Sequence, residues 1–113
     1  MTRVIVTPRI RADVDRIFDF LFDRAPESAG EHVHTIMSAL ADLGDRPQAG
    51  RPATVGLREL LISTGASGYV ALYRFDEVLD VVHVLALRSQ REGRYRLDPL
   101  GLQLRTTLDS RRR

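Results

Sequence analysis

Two stretches of the chain alternate with period two. Gly68-Tyr69-Val70-Ala71-Leu72-Tyr73-Arg74-Phe75 is dense in β-branched and aromatic residues, has turn signals at both ends and is short for a helix, so it predicts a strand. After a polar break over residues 76–80, Val81-Val82-His83-Val84-Leu85-Ala86-Leu87-Arg88 is apolar on both faces of that period. Such a run marks an inner strand covered on both sides or lying at a dimer seam, and it predicts the centre of the sheet. The composition then turns polar and basic at Arg88-Ser89-Gln90-Arg91-Glu92-Gly93-Arg94-Tyr95-Arg96. A segment held at the end of a rigid strand is where binding residues concentrate.

The first half of the chain has a different period. Arg3-Val4-Ile5-Val6 predicts a short strand, closed by Thr7 as a helix cap and Pro8 at the first helical position, where its missing N–H costs nothing. Ile10, Val14, Ile17, Phe18 and Leu21 follow at helical spacing and predict a helix over about residues 9 to 23. Its other face carries Asp15, Asp19 and Asp23, either a solvated row partly offset by Arg11 and Arg16 or an acidic site for a cation. Phe20 and Phe22 flank the apolar stripe about a quarter turn to either side. A stripe that wide needs cover from a second helix or from a partner chain. Arg24-Ala25-Pro26 breaks this helix and starts another over about residues 27 to 43, with Ala29, Val33, Ile36, Met37, Leu40 and Leu43 on one face and Gly44 as its stop. The two helices are expected to form an antiparallel hairpin.

Residues 45–52 read as a loop stiffened by Pro47 and Pro52 and turned at Gly50. Residues 56–62 predict the next strand, with Arg58 and Glu59 on opposite faces, joined to Tyr69 by a hairpin loop over 64–68. The order is β-α-α-β-β-β. Beyond Tyr95, residues 97–104 alternate weakly and read as an added edge strand at most, and residues 110–113 as disordered. The expected division is a domain over 1–96 and a basic tail over 97–113.

Composition narrows the function classes. The chain has 113 residues, 43% of them hydrophobic, which suits one domain with a real core and is too short for two. With no cysteine it has neither disulfides nor thiolate zinc ligands. The apolar run at the N-terminus is too short for a signal peptide, and no stretch approaches the roughly 18 apolar residues of a membrane span, so a cytoplasmic location is expected. His32 and His34 lie on different sides of a helix and His83 is alone in a strand, so no metal site or catalytic histidine is expected. The net charge of +2 hides an asymmetry: residues 1–87 carry nine arginines against twelve carboxylates, and residues 88–113 eight against three. All seventeen basic residues are arginine, a planar donor suited to phosphate or carboxylate. The basic end fits a nucleic acid or acidic protein partner, or simply a solvated terminus. Tyr73 reads as core, and Arg74 as a partner for Glu59 or Asp76.

A set of motifs in this order resembles the RelE/ParE family of bacterial toxins. It comprises Val4-Ile5-Val6-Thr7-Pro8, Asp13, residues 17–21, Gly50-Arg51-Pro52, Gly56-Leu57-Arg58-Glu59-Leu60, Gly68-Tyr69-Val70 with Leu72-Tyr73-Arg74, and Leu85 through Glu92 with Tyr95. The resemblance spans residues 3 to 95. It implies a two-layer α+β RelE-like fold, a helical hairpin packed on an antiparallel sheet with the first strand joined to the C-terminal meander. It also implies the toxin of a type II toxin–antitoxin module, held inactive by a cognate antitoxin and needing no cofactor.

The family divides by target. RelE-like members cut messenger RNA on the ribosome with basic side chains and a C-terminal tyrosine; ParE-like members poison DNA gyrase by binding it. This chain has Val70 where RelE-like members carry an arginine, and Ser89 where close ParE-like sequences have a histidine. Metal-free RNA cleavage needs a base for the 2′-hydroxyl, an acid for the leaving oxygen and cations for the phosphorane. Arg88, Arg91 and Tyr95 supply cations and an acid, but only Glu92 stands where a base is needed. The incomplete set favours a gyrase-binding toxin that is not an enzyme. The alternatives are a ribosome-dependent, metal-independent endoribonuclease using Arg88, Arg91 and Tyr95, and an inactive remnant that only binds antitoxin. The expected target-binding residues are Arg88, Arg91, Glu92, Tyr95 and Arg58, and the expected antitoxin-binding residues are Phe20 and Phe22. Arg58 and Glu59 serve equally well as bridges to neighbouring elements.

Overall fold

In the computed structural model the described residues are 1–64 and 67–92. Tyr95, the weak strand expected at 97–104, the chain end at 110–113, the boundary at 96 and the middle of the 64–68 loop lie outside them. The elements run β1 (Arg3–Val6), α1 (Pro8–Arg24), α2 (Pro26–Ala41), β2 (Arg51–Pro52), β3 (Arg58–Thr64), β4 (Ser67–Asp76) and β5 (Val81–Ser89). Single 3-10 turns follow α2 at Asp42–Gly44 and β5 at Gln90–Glu92.

One sheet of five strands in the order β1-β5-β4-β3-β2 carries the helical hairpin, the α+β architecture expected. From β2 to β5 every pairing is antiparallel, whereas β1 enters parallel to β5, with Arg3 opposite Val81 and Val6 opposite Val84. The sheet is therefore mixed. Both β4 and β5 are inner strands; β4, not β5, is the middle one of the five.

The helices bury their apolar stripes against one face of this sheet. Ile10 and Ile17 of α1 and Ile36 and Leu40 of α2 meet Tyr69, Tyr73, Val82 and Leu87 in the main core. A smaller cluster of Leu57, Leu72 and Ala86 occupies the opposite face. A β-bulge at Leu72/Tyr73 inserts Leu85 between the residues facing them, so Val84 and Leu87 both face the helices.

Four local expectations change. Thr7 does not cap α1 through its side chain; its hydroxyl donates to the Val84 carbonyl at 2.9 Å, where its own backbone N–H also points. The α-helix of the second segment stops at Ala41, and a 3-10 turn carries the buried Leu43 and Gly44. Within the stretch read as a loop, Arg51–Pro52 pairs with β3 as an edge strand, a place that tolerates proline because its outer side needs no N–H. Gly56 at φ 72° makes the turn that starts β3 two residues later than expected.

Candidate functional site

β1 covers the outer edge of β5 only as far as Val84, where the chain leaves the sheet to become α1. Strand β5 continues to Ser89, and α1 supplies side chains where the strand partner ends. Asp13 Oδ2 accepts the Leu87 N–H at 2.9 Å, and Arg16 Nη2 donates to the Leu87 carbonyl at 3.3 Å. Asp13 lies three residues after Ile10 and four before Ile17, so it falls on the core face of the helix, and it is 1% exposed. Its other oxygen accepts Arg16 Nη1 at 2.7 Å, and Arg9 Nε stands 3.8 Å from Oδ2. The cations and the N–H that converge on it offset the cost of burying a carboxylate this deeply.

Arg16 reaches one element further. Its Nη2 also donates to Glu92 Oε1 at 3.1 Å, joining α1 to the turn after β5. Burial alone would lower the pKa of the guanidinium, but hydrogen bonds and charge attraction from Asp13 and Glu92 outweigh it and raise that pKa. Asp15, Asp19 and Asp23 are exposed, a solvated face, yet Arg16 does not help to offset them because it is turned toward the sheet.

The turn itself is a capping box. Ser89 Oγ accepts the Arg91 N–H at 3.2 Å, and Glu92 Oε1 accepts the Ser89 N–H at 2.8 Å. The S-x-x-E spacing of Ser89 and Glu92 carries that signal in the sequence, as a carboxylate inside an apolar stripe does for Asp13. Reading Ser89 only as a replaced histidine missed the first, and Asp13 had no assigned role.

A groove of about 310 Å³ opens between α1 and this corner, lined by Arg16, Ile17, Phe20 and Leu21 on one side and Ser89 through Glu92 on the other, with Gly68 and Tyr69 below. Phe20 is 47% exposed at its lip, with the Arg24 guanidinium 3.7 Å above the ring, and Phe22 is 53% exposed and stacked on Phe18. The second helix therefore does not cover these two rings. Beneath the groove, Tyr69 is buried with its hydroxyl 3.4 Å from His32 Nδ1, which also lies 3.3 Å from the Thr64 hydroxyl.

The expected site residues are thus partly gathered. Phe20, Arg91 and Glu92 share the groove. Arg88 belongs to the opposite face of the sheet, since Leu87 and Ser89 beside it face the helices; it stands across from Val70 and donates to the Ser89 carbonyl at 3.3 Å. Arg58 sits on another ladder, opposite Tyr73, and donates to the Gly50 carbonyl at 2.7 Å, so it bridges to the loop before β2. Glu59 is bridged by Arg51 at 3.2 Å, and Asp76 accepts the Leu79 N–H, while Arg74 is exposed. Among the described residues no three histidine or carboxylate side chains gather as metal ligands would, and no helix is long and apolar enough to cross a membrane.

Known proteins resemble this chain in sequence and fold. Residues 4–93 match the family described as the ParE toxin of the type II toxin–antitoxin system parDE. The toxin RelE3 of Caulobacter vibrioides is 34% identical over 94 residues, 83% of this chain and 100% of the relative. The toxin RelE1 of the same organism is 34% identical over 71 residues, 63% of this chain and 76% of the relative. Among solved structures, the chromosomal ParDE system of P. aeruginosa superimposes with a TM-score of 0.65 at 26% identity, covering 79% of this chain and 96% of that one. The RelBE2 toxin–antitoxin complex of Mycobacterium tuberculosis shares the fold, with a TM-score of 0.51 at 22% identity over 78% of this chain and 96% of that one. With four-fifths of its length inside the family match and a full-length relative at this identity, the chain belongs to the ParE toxin family of type II toxin–antitoxin systems.

Proposed function

We propose that this toxin arrests growth by binding DNA gyrase, without cutting nucleic acid, and that a cognate antitoxin neutralises it. The observation that carries the reading is the state of Glu92. A general base must present a free lone pair to the proton it removes. Among the described residues Glu92 is the one carboxylate lining the groove, and its Oε1 is committed to the Ser89 N–H and to Arg16. That commitment suits a rigid binding corner. The antitoxin partner follows from likeness, since the solved relatives carry the titles of toxin–antitoxin systems.

A ribosome-dependent endoribonuclease is the second reading, favoured by the RelE names of the curated relatives and by Arg91, exposed at the rim of the groove. One experiment separates the two. Expression is induced without antitoxin, and plasmid supercoiling and messenger RNA integrity are followed in the same culture. Altered supercoiling with intact messages is expected; rapid message cleavage with normal supercoiling would replace the gyrase reading with the nuclease one. Normal growth with neither change would mean a remnant that only binds antitoxin.

A further inference from the structure

Arg16 of α1 reaches both β5, at the Leu87 carbonyl, and the turn after β5, at Glu92. We propose that Arg16 is the positioning residue of the 88–92 corner: it fixes the turn through Glu92 and does not itself meet the target. The inference rests on the reading that this corner meets the target.

The corner needs an external hold. Beyond Val84 the outer edge of β5 has lost β1, and a strand end without a neighbouring strand opens readily. A single 3-10 turn follows, too short to hold its own shape. The capping box restrains that turn from within, but it links only Ser89, Arg91 and Glu92 to one another. Arg16 ties the unit to the body of the protein. One guanidinium donates to Asp13, the Leu87 carbonyl and Glu92, acceptors on three elements, and its planar fork holds them at fixed angles. Asp13, itself fixed by the Leu87 N–H, sets the direction of that fork. A lysine at this position keeps the charge but not the simultaneous reach. Arg91 is the residue before Glu92, so where its side chain stands depends on where Glu92 is anchored.

The test uses the full-length chain with Arg16→Lys, Glu92→Gln and both together. Three quantities are read: amide hydrogen exchange at residues 89–92, the unfolding midpoint, and inhibition of supercoiling by purified DNA gyrase. Each single variant is expected to speed exchange at 89–92 and to weaken inhibition by about tenfold, the size of one charged hydrogen bond. Exchange in α2 and β3 should stay at the wild-type rate. The double variant should be no worse than the weaker single one, because both changes cut the same link. Unchanged exchange at 89–92, or losses of inhibition that multiply in the double variant, would overturn the proposal. Should Arg16→Lys fail to fold, Glu92→Gln decides alone, since it leaves the Asp13–Arg16 pair intact. A wild-type chain without effect on gyrase would instead defeat the target reading. The exchange data and message cleavage by the same variants would then judge the positioning role.

Discussion

Tyr73 shows what a single residue contributes beyond apolar area. Its ring is fully buried, and its hydroxyl accepts the Gly50 N–H at 2.8 Å, closing the loop before β2 onto the sheet. Replacement by phenylalanine keeps the packing but strands that N–H, and a loss of about 1–3 kcal/mol is expected in urea unfolding at neutral pH. Burial raises the phenol pKa above its ordinary value near 10, opposed by the Gly50 hydrogen bond and the Arg58 charge. The folded protein thus holds the phenol proton more tightly than the unfolded chain does. This contribution is complete below about pH 10 and is lost as pH rises through the folded value, so the gap between wild type and Tyr73→Phe should narrow in alkali. A gap of constant size from pH 8 to 11 would contradict it. That Tyr73 is core was legible from its place in the alternation. Its bond to Gly50, like that of Asp13 to Leu87, pairs residues far apart in the chain, and no local pattern carries such a pairing.

At the level of elements, the helices and long strands were legible because each carries an apolar face of the right period. The two-residue β2 was not, since two residues have no period. The direction of β1 was not either, because alternation fixes which face a strand buries and says nothing of its neighbour. How tightly elements approach is a separate matter, and two glycines test it. A Cβ on Gly50 would lie 2.7 Å from the Tyr73 ring and 2.8 Å from the Glu59 carbonyl, neighbours that cannot move. Gly50→Ala should therefore cost about 1–3 kcal/mol in thermal unfolding. A Cβ on Gly68 would fall against the side chain of Gln90, which is exposed and free to swing aside. Gly68→Ala should leave stability within about 0.5 kcal/mol of wild type. Equal losses at the two positions would show that the 3-10 turn is as rigid as the sheet.

On the scale of the whole molecule, the groove draws on α1, β4 and the end of β5, so the sequence names its members without assembling them. Phe20 was marked for the antitoxin and Arg91 and Glu92 for the target, and their meeting in one cleft needs the fold. The exposed rings carry the remaining expectation, that antitoxin covers them. Phe20→Ser with Phe22→Ser should lower stability by only about 0.5–1.5 kcal/mol, chiefly the Phe18–Phe22 stack. Co-expression with the cognate antitoxin should then no longer restore growth. Full protection of cells carrying this double variant would place the antitoxin elsewhere.

The parallel seam between β1 and β5 also has a bearing on synthesis. Arg3 leaves the ribosome early and finds its partner only when Val81 follows, and Arg16 waits longer still for Glu92. Helical hairpins close from local contacts, whereas seams between distant segments close late. The emerging polypeptide therefore presents its helices, with Phe20 and Phe22, well before the corner at 88–92 exists. An antitoxin that covers those rings, the outcome the double variant tests, would meet the nascent chain before that corner has formed, and a product cut short of residue 81 has no seam to close.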